Sequence, residues 1–421
     1  RWSVIRSSRL GNFMVNSILK DSNEDGFADV DGVQVLDPLT VKFILQEPTA
    51  QFPSILATPP FFPISAECYA ETADPGSSCG GLGPYTIAQW DGGDRIQLAA
   101  NPQWPGTPAP ASETITVRFY NDIAGVRRSL AEFQSIDLAW TGLSYDDVVA
   151  LRDQDIDGDG TADITSWVGP STFKSYLIFE QGNPPWDNQR VRQAAALALD
   201  RQTVVQNVFG DSRLPLFSPI PDDIPGHVAT LPATNPDLVR SLMLEVGYSA
   251  ENPLEVTIYF VNDGRYSHLE EQYVTAIAQQ LNATGVFLAS VEGAPWEQFR
   301  VQMDQCGYPA YLLGWPSPGR PADYLDPSSW TDFFVQETGS VICSNYESSA
   351  MSELVLAARE ETDPALRLEL FAQIQTLWAD EIPTLDISQE PRLALSLTKV
   401  DGMAADGLGL LHYELLTKNE E

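Results

Sequence analysis

Between residues 254 and 314 the chain alternates strand and helix in a way that decides the class of fold. The apolar runs Leu254–Val261, Val286–Val291 and Ala310–Gly314 are short and bounded by turn residues, as buried strands are. Ser267–Ala283 and Trp296–Gln305 lie between them and carry helical spacing. Asp237–Val246 precedes this region as a helix, and helices over 347–361 and 364–379 follow it. Strands and helices in alternation predict α/β layers rather than an all-β or all-helical core. Upstream, the alanine-rich run Arg190–Arg201 has apolar positions at helical spacing, and the pattern continues through Val204–Phe209 to a stop at Gly210.

The first half is less regular. Residues 1–19 read as helix, Val33–Glu47 as a hairpin and Phe52–Ala57 as a short helix. Residues 84–100 read as two strands around Asp91-Gly-Gly-Asp94, where glycine supplies the turn angles. Pro102–Ala111 is a proline-rich loop. Strand Thr114–Tyr120, helix Ile123–Phe133 and strand Ile136–Trp140 together predict a parallel βαβ unit. Ser175–Phe179 is a further strand, and Arg392–Ser396 with Leu408–Leu416 reads as a closing strand pair.

A chain of 421 residues is too long for one small core, so two or more lobes are expected. No apolar run approaches the roughly 20 residues of a membrane span. Arg1–Leu10 reads as helix, not as a signal peptide. The formal charge of −34 argues against a nucleic-acid partner and favours solubility and cation binding. The three histidines, His227, His268 and His412, form no metal-ligand pair, and no nucleophile elbow, phosphate loop or dinucleotide fingerprint occurs. Motif absence alone does not exclude an enzyme, since a glycosidase would need only two of the 58 acidic residues. Four cysteines permit three connectivities. Local pairing, Cys68 with Cys79 and Cys306 with Cys343, is expected over four free thiols, and it implies an oxidising compartment.

Two acidic stretches share the spacing D-x-[DN]-x-D-G-x-x-D. One runs through Asp21, Asn23, Asp25, Gly26, Phe27 and Asp29, the other through Asp155, Asp157, Asp159, Gly160, Thr161 and Asp163. Calcium takes six to eight oxygen ligands and tolerates a mixture of carboxylates, carbonyls and water. Side chains at positions 1, 3, 5 and 9, with the carbonyl of Phe27 or Thr161 at position 7, could wrap one ion per loop. These loops resemble the calcium loops of integrin-type β-propeller repeats. EF-hands need a glutamate at position 12, where this chain has Gly32 and Ser166. Two structural calcium sites are expected, the competing reading being solvated Asp/Gly turns.

Four segments, in order, resemble one family. They are Gly81-Leu-Gly-Pro-Tyr85 with Trp90, Gly93-Asp94 and Asn101-Pro-Gln-Trp104; Arg190–Arg201 with its continuation to Gly210; Leu312-Leu-Gly-Trp315 with Ala322-Asp-Tyr324 and Asp326-Pro327; and Trp378–Pro383 with Lys399-Val-Asp-Gly402. Asp37–Pro48 fits an early strand pair of the same family. The family is the family 5 extracellular solute-binding proteins of ABC transporters, the peptide- and nickel-binding group.

The resemblance implies a bilobal α/β, periplasmic-binding-protein-like fold (type II, cluster C) with a hinge. Lobe I would hold residues 1–175, with a peripheral subdomain over about 1–100, lobe II 176–389, and 390–421 would return to lobe I. It also implies that a leading portion, with any secretion signal or lipid-anchoring cysteine, precedes residue 1. The protein would be an extracytoplasmic monomer, a lipoprotein if so anchored, that closes on a peptide or other small polar solute and serves an ABC permease. In peptide-binding members an Asp after Gly-Trp holds the ligand ammonium, which maps to Asp323, with Asp326 competing, and the Trp lines a pocket, which maps to Trp315. Tyr324 lies beside them. Tyr85 and Trp140 are further candidates, Trp140 because it follows a strand where α/β sheets bind ligands. Some members place an Arg just before Gly-Trp to grip a carboxylate; Leu312 and Leu313 stand there, so a carboxylate would need another partner. The family also takes nickel complexes, sugars and opines. The alternative function is a calcium-stabilised surface or scaffold protein that keeps the fold.

Overall fold

The computed structural model describes residues 1–66, 81–90, 92–140, 143, 145–315, 325–335, 342–406 and 409–419. Cys68, Cys79, Asp323 and Tyr324 lie outside the described residues. The chain forms two compact units, residues 1–169 with 393–421, and residues 170–392. Both divides fall inside long strands, against the expected boundaries at 175/176 and 389/390.

In the first unit the expected helix over 1–19 is two helices, α1 (Trp2–Arg9) and α2 (Phe13–Ile18). Gly11 takes φ 78°, and Asn12 restarts the helix by accepting the Val15 amide at 3.1 Å. The hairpin β1 (Val33–Asp37) and β2 (Thr40–Phe43) and the short helix α3 (Phe52–Leu56) follow. Strands β3 (Tyr85–Trp90), β4 (Arg95–Ala100) and β5 (Thr114–Arg118) form a three-stranded antiparallel meander.

Helix α4 (Ile123–Arg127) is capped by Asp122 and runs on as a π-helical turn over Arg128–Glu132, before β6 (Leu138–Ala139) and α5 (Tyr145–Leu151). The parallel βαβ unit predicted over 114–140 does not form. Strand β5 pairs with β4, whereas β6 pairs antiparallel with the returning chain near Leu395 and Ser396. The two strands therefore belong to different sheets. A core of Leu130, Val148, Leu151, Ile164, Leu395 and Leu397 closes this part of the unit.

Strand β7 (Ile164–Phe179) carries the chain into the second unit. Helix α6 (Gln189–Ala198) and helix α7 (Arg201–Phe209) make up the alanine-rich segment. Leu199 is extended, and Asp200 caps α7 by accepting the Thr203 amide at 3.0 Å, so the run is two helices. Strand β8 (Leu214–Pro215), helix α8 (Pro236–Glu245), strand β9 (Leu254–Val261), helix α9 (Glu270–Ala283), strand β10 (Phe287–Ala294), helix α10 (Trp296–Asp304) and strand β11 (Ala310–Trp315) come next. Helices α11 (Ser349–Glu360) and α12 (Pro364–Glu381) lead to β12 (Thr384–Leu397).

The sheet order in this unit is β10-β9-β11-β7-β12, with β8 beside β12. β10, β9 and β11 are mutually parallel, and β7 is antiparallel to β11. The alternation seen in the sequence thus produces the parallel layer. Its core collects Val256, Ile258, Ile277, Leu281, Leu312 and Leu385 together with the small residues Ala194, Ala195, Ala196 and Ala198. Arg392–Ser396 is the end of β12, and no strand pairs with it from 409–416. The closing pair is instead β13 (Val400–Asp401) with β14 (Thr417–Lys418), because β12 is already taken by β6.

Candidate functional site

The parallel strands of the second unit end together at Val261, Ala294 and Trp315, and Lys174 of β7 lies opposite Trp315. Open α/β sheets bind ligands outside such carboxyl ends. The residues there are aromatic and cationic. Phe173 packs on Tyr266 with ring centroids 6.5 Å apart, and Tyr266 meets Trp296 edge-on at 6.5 Å. The Arg265 guanidinium lies over the Trp296 ring at 4.0 Å. Asp263 shapes the loop by accepting the Trp296 amide at 2.7 Å and the Arg265 amide at 3.2 Å. Trp315, half-buried, donates its indole N–H to the Ser329 carbonyl at 3.1 Å. A Cβ on Gly314 would overlap the rings of Phe173 and Tyr266, so the Gly of Leu-Leu-Gly-Trp is what lets these aromatics cross the strand.

Beneath this edge the unit buries charge. Lys174 and Asp386, both fully buried, pair at 2.8 Å, and Lys174 also donates to the Pro219 carbonyl. Phe334 and Tyr176 face the ammonium at 4.7 and 5.0 Å. Burial pushes Lys174 down and Asp386 up, each opposed by the other's charge. Arg213 stacks on Phe209 at 4.0 Å, pairs with Glu390 at 3.0 Å and donates to the Tyr266 carbonyl at 3.3 Å. Glu270, at the start of α9, is buried with one oxygen unmet, and burial pushes its carboxyl up to about 7. Of these groups, Arg213 ties the Tyr266 backbone to the buried interior.

Of the residues named from sequence, Trp315 stands at this edge, and Asp323 and Tyr324 lie outside the described residues. Asp326, the competing anchor, is engaged: it caps a 3₁₀ turn and takes two bonds from Arg367 at 2.6 and 2.7 Å. Tyr85 and Trp140 belong to the first unit. The Tyr85 hydroxyl donates to the Ser112 carbonyl at 2.9 Å, tying β3 to the loop before β5. Trp140 packs on Trp167 at 5.3 Å, and β6 before it pairs only antiparallel, so the strand-end argument does not apply to it. That same argument, applied to the strands expected at 254–261 and 286–291, would have found Arg265, Tyr266 and Trp296. Trp186 and Trp330 are buried in the core.

The two acidic loops fold alike. In each, position 1 accepts the amide of the position-6 glycine (Asp21 from Gly26 at 2.8 Å, Asp155 from Gly160 at 2.9 Å). Position 9 accepts the amide of position 2 (Asp29 from Ser22 at 2.8 Å, Asp163 from Ile156 at 2.7 Å). Position 5 accepts that of position 7 (Asp25 from Phe27, Asp159 from Thr161). Positions 4 and 6 take positive φ in both: Glu24 58° and Gly26 86°, Gly158 81° and Gly160 93°. Among the described residues, Asp155, Asp157 and Asp159 bring carboxylate oxygens within 4.8 Å of one another, an all-oxygen donor set of the kind calcium takes. In the other loop Asp21 keeps one buried oxygen without a hydrogen-bond partner.

Cys306 and Cys343 form a disulfide with Cα atoms 5.2 Å apart, joining the end of α10 to the segment before α11. The expected Cys68–Cys79 pair falls outside the described residues. No helix among the described residues is long and apolar enough to cross a membrane.

Comparison with known proteins fits this architecture. Residues 6–340 match the family described as bacterial extracellular solute-binding proteins, family 5 Middle. The periplasmic oligopeptide-binding protein OppA of Salmonella typhimurium is 22% identical over 355 residues, covering 82% of this chain and 62% of the relative. The di/tripeptide-binding protein 2 of Pseudomonas aeruginosa is 23% identical over 379 residues, covering 85% and 66%. The chain thus spans under two thirds of the length of these relatives.

Among solved structures, a dipeptide-binding protein from Pseudoalteromonas sp. SM9913 in complex with Met-Leu superposes with a TM-score of 0.72 at 20% identity, covering 99% of this chain and 83% of the other. The unliganded open form of the periplasmic murein tripeptide-binding protein MppA gives 0.79 at 19% identity, covering 99% and 82%. The fold is the two-lobed type II fold of these structures. The chain belongs to the family 5 bacterial extracellular solute-binding proteins.

Proposed function

We propose that the protein is an extracytoplasmic solute receptor that captures a peptide or similar small polar solute and delivers it to an ABC-transporter permease. The observation that carries this reading is the edge where β9, β10 and β11 end, which offers Trp315, Tyr266, Trp296 and Phe173 as aromatic surface with Arg265 and Asp263 among them. Solute sites of this kind combine a mostly apolar lining with a few polar anchors. Relatives named for oligopeptides, di- and tripeptides and glutathione support a peptide-like ligand. The protein performs no chemistry in this reading; capture and release are the whole function. Asp323 and Tyr324 are proposed to complete the ligand contacts near Trp315.

The loops at 21–29 and 155–163 are proposed to hold one calcium ion each in a structural role. The hydrogen-bond pattern shared by the loops supports this, as does the gathering of Asp155, Asp157 and Asp159 in the second. A divalent ion would cancel repulsion among the carboxylates and pin each loop. The residues would act by coordination alone.

The test is native mass spectrometry of the protein isolated without added ligand, followed by release and identification of bound mass. A peptide or other small solute supports the receptor reading. An empty protein whose melting is unmoved by a peptide panel overturns it in favour of a scaffold protein with this fold.

A further inference from the structure

The position just before Gly-Trp, where some family members carry a basic residue, is filled by Leu312 and Leu313, both buried in the core. Any ligand anion must therefore be met elsewhere. Arg265 differs from the arginines that the second unit uses internally, since Arg192 and Arg201 spend their guanidinium groups on backbone carbonyls. Arg213, Arg359 and Arg367 each pair with a carboxylate, at 3.0, 3.1 and 2.6 Å. Arg265 pairs with none among the described residues. Its guanidinium lies over Trp296 at 4.0 Å and 5.9 Å from the Tyr266 ring centre, and its Nε is buried with no acceptor. Asp263, two residues away, spends its oxygens on the backbone amides of Arg265 and Trp296.

A stacked guanidinium keeps its planar fork oriented for a carboxylate while aromatic faces exclude water from one side. The bland alternative is an arginine that only covers the tryptophan. Against that stands its location, on the loop directly after β9 at the carboxyl edge of the parallel strands.

We propose that Arg265, laid on Trp296, anchors an anionic group of the solute, a carboxylate carried beside an apolar or aromatic portion that meets Tyr266 and Phe173. The inference rests on the solute-receptor reading and narrows it to carboxylate-bearing ligands. In a peptide the group would be the C-terminal carboxylate.

The experiment offers the full chain an equimolar random-tripeptide library as free acids and the same library as C-terminal amides, and reads captured masses by native mass spectrometry. The wild type is expected to retain acids at least about ten-fold over amides, as a charge-assisted bidentate contact implies. Arg265→Gln should bring that ratio near one through loss of acid capture, and Arg265→Lys should restore part of it. Arg300→Gln, which removes an exposed charge from α10, should leave the ratio alone. An unchanged ratio in Arg265→Gln, or a wild type that takes amides as well as acids, overturns the inference and leaves the receptor reading standing. Capture of neither library overturns the peptide-receptor reading and the inference with it.

Discussion

The two units are held together in different ways. The second wraps a parallel layer around a continuous apolar core and buries an ion pair, Lys174–Asp386, within it. The first is assembled from separate two- and three-stranded antiparallel sheets, capped short helices and two acidic loops whose hydrogen bonds span only a few residues. Long-range pairing makes the second unit sensitive to single buried changes, whereas local closure makes the first sensitive to the loops and turns themselves.

The largest effect is expected at the buried pair. Asp386→Ala leaves the Lys174 ammonium fully buried with only the Pro219 carbonyl and aromatic faces, and should cost about 3–5 kcal/mol in denaturant unfolding. A loss below about 1 kcal/mol would mean that the apolar core alone sets the stability of that unit. Replacing Cys306 and Cys343 by serine should cost about 2–4 kcal/mol, from the freedom regained by the unfolded loop of 37 residues. The same loss from reducing agent acting on the serine variant would show that another disulfide carries the effect.

Glu270 gives the second unit a pH dependence of definite sign. Burial raises its carboxyl from 4.5 to about 7, opposed by Arg213 and reinforced by Glu390. The folded protein therefore holds a proton that the unfolded chain releases. The contribution is full below about 4.5 and is lost as pH rises towards about 7, on the order of 3 kcal/mol. Glu270→Gln should flatten the fall in stability between pH 5 and 8 relative to the parent. An equally steep fall in the variant would assign it to other groups, Asp332 first, since burial raises that carboxyl to about 6.

Gly314→Ala should cost about 1–3 kcal/mol through overpacking against Phe173 and Tyr266, and should weaken solute capture as well. Unchanged capture would detach this aromatic cluster from the binding site. The smallest effect belongs to the first unit. Chelator should lower the melting temperature of the parent, and Asp155→Asn with Asp159→Asn should remove the part due to the second loop while Asp21→Asn removes the rest. A melting temperature indifferent to calcium would leave both loops as solvated turns, and the contrast between the units would then rest on sheet topology alone.

Where the signal was local, the sequence could be read. The α/β alternation over 254–314 formed as expected because those strands and helices owe their identity to their own periodicity. The acidic loops kept one register because every bond in it runs between neighbours. Pairing was not legible. β7 and β12 are 16 and 14 residues long and nearly continuously buried through the second unit, so they show little alternation to mark their length. Thr114–Arg118 and Leu138–Ala139 looked like partners only because a helix lies between them.

The sequence by itself determined the α/β class, the family and the repeated acidic loop. Each of these is carried by residues within a few positions of one another. Tertiary structure decided which strands share a sheet, that Asp326 is spent on Arg367, and that Arg265 comes to rest on Trp296. The two side-chain contacts join residues 41 and 31 positions apart, strand pairings such as Ala139 with Leu395 far more, and no local propensity encodes which segment ends up beside which.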